Sequence, residues 1–180
     1  DTDRSRGLGD VYKRQLIDKI RKYQPSRESY FLYQKRMLKA SISTIDRAFY
    51  FLVINRCSFS GIQTANPKSN MEDRWLPDTL IKRIEKIHSM SDRIEVTNKN
   101  AMELIEEMYW DSDTCIFVDP PYIEKGDCLY PVKFHLHHEL AKLITELLRE
   151  FPGCADILLT YDDQEILHLS LIHILTLPTT

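Results

Sequence analysis

Apolar residues recur at helical spacing through the first half of the chain, and from about residue 91 the rhythm shortens into alternating strands and helices. Leu16, Ile17 and Ile20 begin the helical pattern, which breaks at Pro25-Ser26. Ser26 is suited to cap a second helix. That helix is expected to run through Tyr30, Phe31, Tyr33, Met37 and Leu38, then Ile42, Ile45, Phe49, Phe51, Leu52 and Val53, positions mostly three or four apart. An aromatic stripe at this spacing reads as core. Gly61, Asn66-Pro67, Asn70 and Pro77 punctuate a loop or short hairpin over 56–78, with Arg56, Lys68 and Arg74 around it. Leu80, Ile81, Ile84 and Ile87 fit a further short helix.

Beyond this point the pattern predicts a strand over 94–97, a helix over 101–109 and a buried strand over 114–118. A helix over 137–150, a strand over 157–161 and a helical start near Asp163 follow. Short strands alternating with helices argue for an α/β layer with a largely parallel sheet. Residues 1–15 are polar and aperiodic, and Val11-Tyr12-Lys13-Arg14-Gln15 resembles a translated sequencing-adapter read. Leu169-Ser170-Leu171-Ile172-His173-Ile174 has the same character. The expected organisation is therefore a non-native tail over 1–15, a helical region over 16–90, an α/β part over 91–168 and a second non-native tail over 169–180.

At 180 residues, with 43% hydrophobic and 28% charged residues, the chain suits one soluble globular unit. No apolar run reaches the roughly 18 residues a spanning helix needs, and the N-terminus lacks the apolar centre of a signal peptide. Cys57, Cys115, Cys128 and Cys154 have no paired spacing, so a reducing cytoplasm is the expected setting. The net charge of −3 conceals a polarised distribution: residues 16–90 carry 14 basic and 7 acidic groups, residues 91–180 carry 6 and 17. Exposed helices carrying solubilising charge would account for this, as would a basic surface for phosphates joined to an acidic catalytic part.

The apolar run Thr114-Cys115-Ile116-Phe117-Val118 ends abruptly in Asp119-Pro120-Pro121-Tyr122. Ligands of open α/β sheets bind beyond the carboxyl ends of strands, which is where this tetrapeptide falls. Two successive prolines fix φ and remove two donors while leaving carbonyls free to accept. The exocyclic nitrogen of adenine is a poor nucleophile because its lone pair is delocalised into the ring. Asp119 and the Pro120 carbonyl, accepting its two hydrogens, would favour an electron-rich geometry, and Tyr122 would stack on a base extruded from the duplex. The plain alternative is a strand-to-loop turn in which Asp119 caps backbone groups. His135, His137 and His138 lie at i, i+2 and i+3 where a helix begins, a geometry that does not converge three imidazoles, so no metal is expected.

With these residues the sequence resembles the DNA adenine methyltransferases of phages and restriction–modification systems. The likeness extends from Arg47 through Asn55-Arg56-Cys57-Ser58-Phe59-Ser60-Gly61, similar to the family's Asn-Arg-x-x-Phe-Asn-Gly segment beside DNA. It continues through Lys125-Gly126, Leu129-Tyr130, His138, Leu140 and Tyr161-Asp162-Asp163. The resemblance implies an incomplete Rossmann-like methyltransferase sheet with a helical DNA-recognition insertion, S-adenosylmethionine as cofactor and duplex DNA as partner. It further implies a bacterial or phage source and a cognate restriction endonuclease there. Asp119, Pro120, Pro121 and Tyr122 take the catalytic roles, and Asn55, Arg56, Ser58, Lys68 and Arg74 the DNA contacts. Asn100, Ala101 and Asp119 take the cofactor contacts, Asn100-Ala101 standing where the family has Asp-Phe. The family's Phe-x-Gly-x-Gly loop for the donor has no match; Gly7-Leu8-Gly9 follows no apolar strand. The chain is accordingly expected to be an N-terminally truncated fragment, inactive as it stands. Methylation of RNA and a nucleic-acid-binding remnant without turnover are the rival readings.

Overall fold

The computed structural model describes residues 2–121 and 134–161, with side chains from residue 9 onward. The chain divides into two compact units, Asp1–Val96 and Thr97–Thr180.

The first unit is helical: α1 (Thr2–Lys22), α2 (Arg27–Met37), α3 (Thr44–Cys57) and α4 (Pro77–His88), with short 3-10 turns between α3 and α4. The helices close over Ile20, Tyr30, Phe49, Val53, Ile54 and Trp75, all buried. Each such side chain removed from water contributes about 1.5–3 kcal/mol. The expected aromatic stripe enters this core only in part: Tyr30, Tyr33 and Phe49 belong to it, Tyr33 stacking on Tyr50 at 4.3 Å and Tyr23 meeting Phe49 and Trp75 edge-on. Phe31, Leu38 and Phe51 face outward instead and are exposed. Ser26 caps α2 in a reciprocal box, its hydroxyl accepting from Ser29 N–H at 3.1 Å while its own N–H donates to Ser29 Oγ at 3.3 Å.

Two helix boundaries differ from those the periodicity predicts. The long helix expected after Ser26 is divided, because Ser43 caps a new one by accepting from Asp46 N–H at 3.1 Å. Arg47 then closes the end of α2, donating to the carbonyls of Met37 at 3.0 Å and Lys39 at 3.2 Å. Helix α1 begins well before Leu16 although its first turns carry no apolar stripe. Polar contacts hold that segment instead: Asp10 Oδ1 accepts from Lys13 Nζ within the helix, and the same oxygen lies 2.9 Å from His88 Nε2 on α4.

The second unit comprises α5 (Ala101–Tyr109), β1 (Cys115–Val118), α6 (His137–Glu150) and β2 (Asp156–Leu159). The strands pair in parallel, Cys115 opposite Asp156 through Val118 opposite Leu159. Ile116, Val118, Ile157 and Leu159 pack on a core of Ile105, Tyr109, Leu140, Ile144 and Leu147 from the two helices. Tyr109 ties the layers together: its hydroxyl donates to the carbonyls of Phe151 at 2.9 Å and Leu147 at 3.2 Å, and its own carbonyl accepts from Ala155 N–H. The strand expected to be buried is covered on one face only. Period-two alternation turns Phe117 and Leu158 the other way, 59% and 57% exposed. The strand expected over 94–97 does not form; Val96 is 89% exposed, and no neighbouring strand among the described residues completes its hydrogen bonds. The helical start expected near Asp163 lies outside the described residues.

Candidate functional site

Asp119 is the first residue beyond β1, and the parallel register sets it beside Thr160, the first residue beyond β2. Thr160 N–H donates to the Val118 carbonyl at 3.0 Å, and its hydroxyl donates to Asp119 Oδ1 at 2.6 Å. Asp119 itself is exposed, and Pro120 and Pro121 are half-buried. All three line a groove of about 700 Å³ together with Asn100 and Ala101 at the start of α5 and the apolar side chains of Met102, Ile105 and Leu140. Of the residues read as catalytic, Asp119, Pro120 and Pro121 thus share one surface with those read as cofactor contacts. Asn100 has a local duty as well, since its Oδ1 caps α5 by accepting from Met102 N–H at 2.9 Å. Tyr122, Lys125-Gly126, Leu129-Tyr130 and Asp162-Asp163 lie outside the described residues.

His137 Nδ1 contacts the Tyr161 hydroxyl, and its ring meets Phe134 edge-on at 4.9 Å. Among the described residues no group of three or more His, Cys, Asp or Glu side chains is arranged to hold a metal ion.

The first unit carries a second surface. After α3 the chain folds back through an antiparallel bridge between Ser58 and Pro67, with Phe59 N–H donating to the Asn66 carbonyl and Lys68 N–H to the Cys57 carbonyl. The expected short hairpin is present in this reduced form. Ser60 and Gly61 turn the chain at φ 57° and 78°, leaving Phe59 outward and 64% exposed. A cavity of about 470 Å³ is lined by Phe59, Lys68, Asn70 and Arg74, and Lys68 Nζ sits 5.4 Å from the Phe59 ring centre. Arg56 and Arg74 are half-buried, each with a buried Nε that has no hydrogen-bond partner among the described residues. Both act on the thiol of Cys57, which burial pushes up to about 11 against their opposing charge.

Not every residue expected to meet DNA faces outward here. Ser58 is fully buried beside Tyr30, and Asn55 turns its amide toward the Gly61 carbonyl at 3.4 Å. Both lie in the scaffold beneath the turn, Asn55 bonded to it and Ser58 Oγ buried with no hydrogen-bond partner among the described residues. Phe59, part of the segment that the resemblance sets beside DNA but not among the DNA contacts named from it, is also a surface residue. Its signal was an aromatic directly before Ser-Gly, where a turn leaves little room to bury a ring.

The sequence profile of the D12 class N6 adenine-specific DNA methyltransferases matches residues 7–169. The chain belongs to this family. In this D12 class protein the match takes in both surfaces and every described strand. Membership indicates methyl transfer to the N6 nitrogen of adenine, with DNA as substrate. The small parallel sheet with helices against it agrees with an α/β methyltransferase. A comparison with curated proteins finds no match. Among the described residues, no helix is long and apolar enough to cross a membrane.

Proposed function

We propose that this chain carries the amine-orienting part of an S-adenosylmethionine-dependent, site-specific DNA methyltransferase, its sheet an incomplete Rossmann-like layer and its helical unit the DNA-recognition insertion. The observation that carries the reading is the groove shared by Asp119, Pro120, Asn100 and Ala101. Asp119 and the Pro120 carbonyl accept the two N6 hydrogens and hold the nitrogen lone pair toward the incoming methyl group. Tyr122 stacks on the extruded base, which recovers about 1–3 kcal/mol of lost stacking.

The groove fits part of the donor. Apolar walls with the Asn100 amide at the start of α5 suit the adenine ring of S-adenosylmethionine, and Asn100 and Ala101 would hold it. When bound, that cofactor supplies an electrophilic methyl group on a sulfonium. Its methionine end needs a close backbone approach of the kind a glycine-rich turn after a strand provides. In the sequence neither described strand leads into a glycine-rich segment, and no Phe-x-Gly-x-Gly segment occurs. For the 180-residue polypeptide by itself this favours DNA binding without turnover.

In the first unit, Lys68, Arg74 and Arg56 contact backbone phosphates, with Phe59 against the duplex between them; Asn55 and Ser58 support the turn that presents them. Tritiated methyl transfer to duplex DNA tests the whole reading. The polypeptide alone is expected to be inactive. With a donor-binding loop restored, incorporation appears, and Asp119→Ala abolishes it with DNA affinity retained. Turnover of Asp119→Ala within tenfold of the parent would remove Asp119 from its role.

A further inference from the structure

Beyond Asp119 itself, the ends of the two strands assign work to a residue that no motif marks. We propose that Thr160 is a positioning residue: its hydroxyl fixes one oxygen of the Asp119 carboxylate and so leaves the other for the amine of the target base. The inference rests on the reading of Asp119 given above.

Three features of the geometry support it. The parallel register pairs Val118 with Leu159, so Asp119 and Thr160 leave the sheet side by side. Thr160 is itself held, because its N–H donates to the Val118 carbonyl at 3.0 Å and continues the ladder by one bond. From that anchored position its hydroxyl reaches Asp119 Oδ1 at 2.6 Å, in the range of a charge-assisted bond, whereas its alternative acceptor, the Val118 carbonyl, is at 3.5 Å. Oδ2 has no hydrogen-bond partner among the described residues, and Asp119 lines the groove.

An exposed aspartate rotates freely about χ1 and χ2, and a freely rotating carboxylate offers its oxygens in many directions. A β-branched donor with few rotamers of its own removes that freedom. One oxygen becomes the anchor and the other the acceptor. An acceptor aimed before the base arrives saves the ordering cost that would otherwise fall on the bound state.

The test uses this chain and needs no turnover. Proton couplings across the Asp119 Cα–Cβ bond should report one χ1 rotamer in the parent and in Thr160→Ser, and averaging in Thr160→Val, which keeps the shape but loses the donor. Binding is then compared between random-sequence duplex pools containing adenine or its amine-less purine analogue; taking the ratio across variants cancels the weaker pairing of the purine. The parent should prefer adenine about tenfold, the worth of one hydrogen bond to a charged group. Thr160→Ser should keep this preference and Thr160→Val lose most of it, with Asp119→Ala losing it entirely. If Thr160→Val retains both the single rotamer and the preference while Asp119→Ala loses it, the assignment of Thr160 falls and that of Asp119 stands. If Asp119→Ala retains the preference, or the parent has none, both fall together.

Discussion

The hydroxyl of Tyr30 donates to the carbonyl of Ala65 at 2.8 Å from a side chain with no solvent exposure. This bond ties α2 to the returning limb of the turn that carries Phe59 and Lys68, with Gln34 Nε2 donating to the Gln63 carbonyl at 2.6 Å beside it. Tyr30→Phe removes this bond from a half-buried carbonyl that keeps only Gln34 Nε2 at 3.5 Å, and the loss should be about 0.5–1.5 kcal/mol of the first unit's stability. Urea unfolding followed by tryptophan fluorescence in a Trp110→Phe background measures it through Trp75. A midpoint equal to that of the parent would mean that the turn keeps its place without α2.

Ser60 occupies left-handed backbone, at φ 57° and ψ 15°. Asn tolerates that region better than Ser, so Ser60→Asn should stabilise the unit by up to about 1 kcal/mol. Gly61→Ala should act the other way. At φ 78° an added Cβ is strained, and it would lie 3.3 Å from Asn55 Nδ2, so a loss of about 1–2 kcal/mol is expected. Thermal melts of the two variants should move in opposite directions; movement in the same direction would contradict the backbone argument.

Burial raises Cys57 from an ordinary 9.0 to about 11 and Tyr23 from 10.0 to about 12. Both groups are neutral when protonated, so the fold favours the proton. Their contribution is fully present below about pH 9 and is lost as pH rises through 9–11 for the thiol and 10–12 for the phenol. Urea midpoints of the first unit should hold level from pH 7 to 8.5 and fall beyond. Cys57→Ser should remove the lower part of that fall. A midpoint that stays flat up to pH 11 would show that neither group is buried in solution.

If Lys68 and Arg74 neutralise phosphates, log K for duplex DNA should fall with log salt by about 0.9 per contact. Lys68→Ala and Arg74→Ala should each flatten the slope by about that amount. Asn55→Ala, which removes a turn contact and no charge, should weaken binding with the slope unchanged. Equal slopes in all four proteins would return the cluster to ordinary solvated charge.

Local signals in the sequence carried well where the structure is local. The helices over 101–109 and 137–150 have the expected bounds, and Ser26 caps where its position before Arg27 implied. Ser43 was passed over because Ile42 and Ile45 continue the apolar spacing across the break; the cap that interrupts it is a hydroxyl, which hydrophobic periodicity does not register. The exposure of Phe117 was unreadable for another reason. Five successive apolar residues look the same whether a strand is covered on one face or two, and only the layers around it decide. The position of Asp119 at the end of β1 was legible through its prolines. Thr160 was not, since its bond to Asp119 spans 41 positions and exists only once the strand register is known.

That register has a consequence for how such a protein can diverge. Asp119 and Thr160 are neighbours because two four-residue strands run in parallel and in step, whatever length of chain joins them. Insertions and deletions between Tyr122 and the start of α6 can accumulate among relatives without separating the carboxylate from its hydroxyl. A one-residue slip in either strand cannot, because it would invert the faces of that strand and put Leu159 or Tyr161 opposite Asp119. Lineages descended from one ancestor should therefore vary freely in the length of this connection and hardly at all in the spacing from strand to carboxylate.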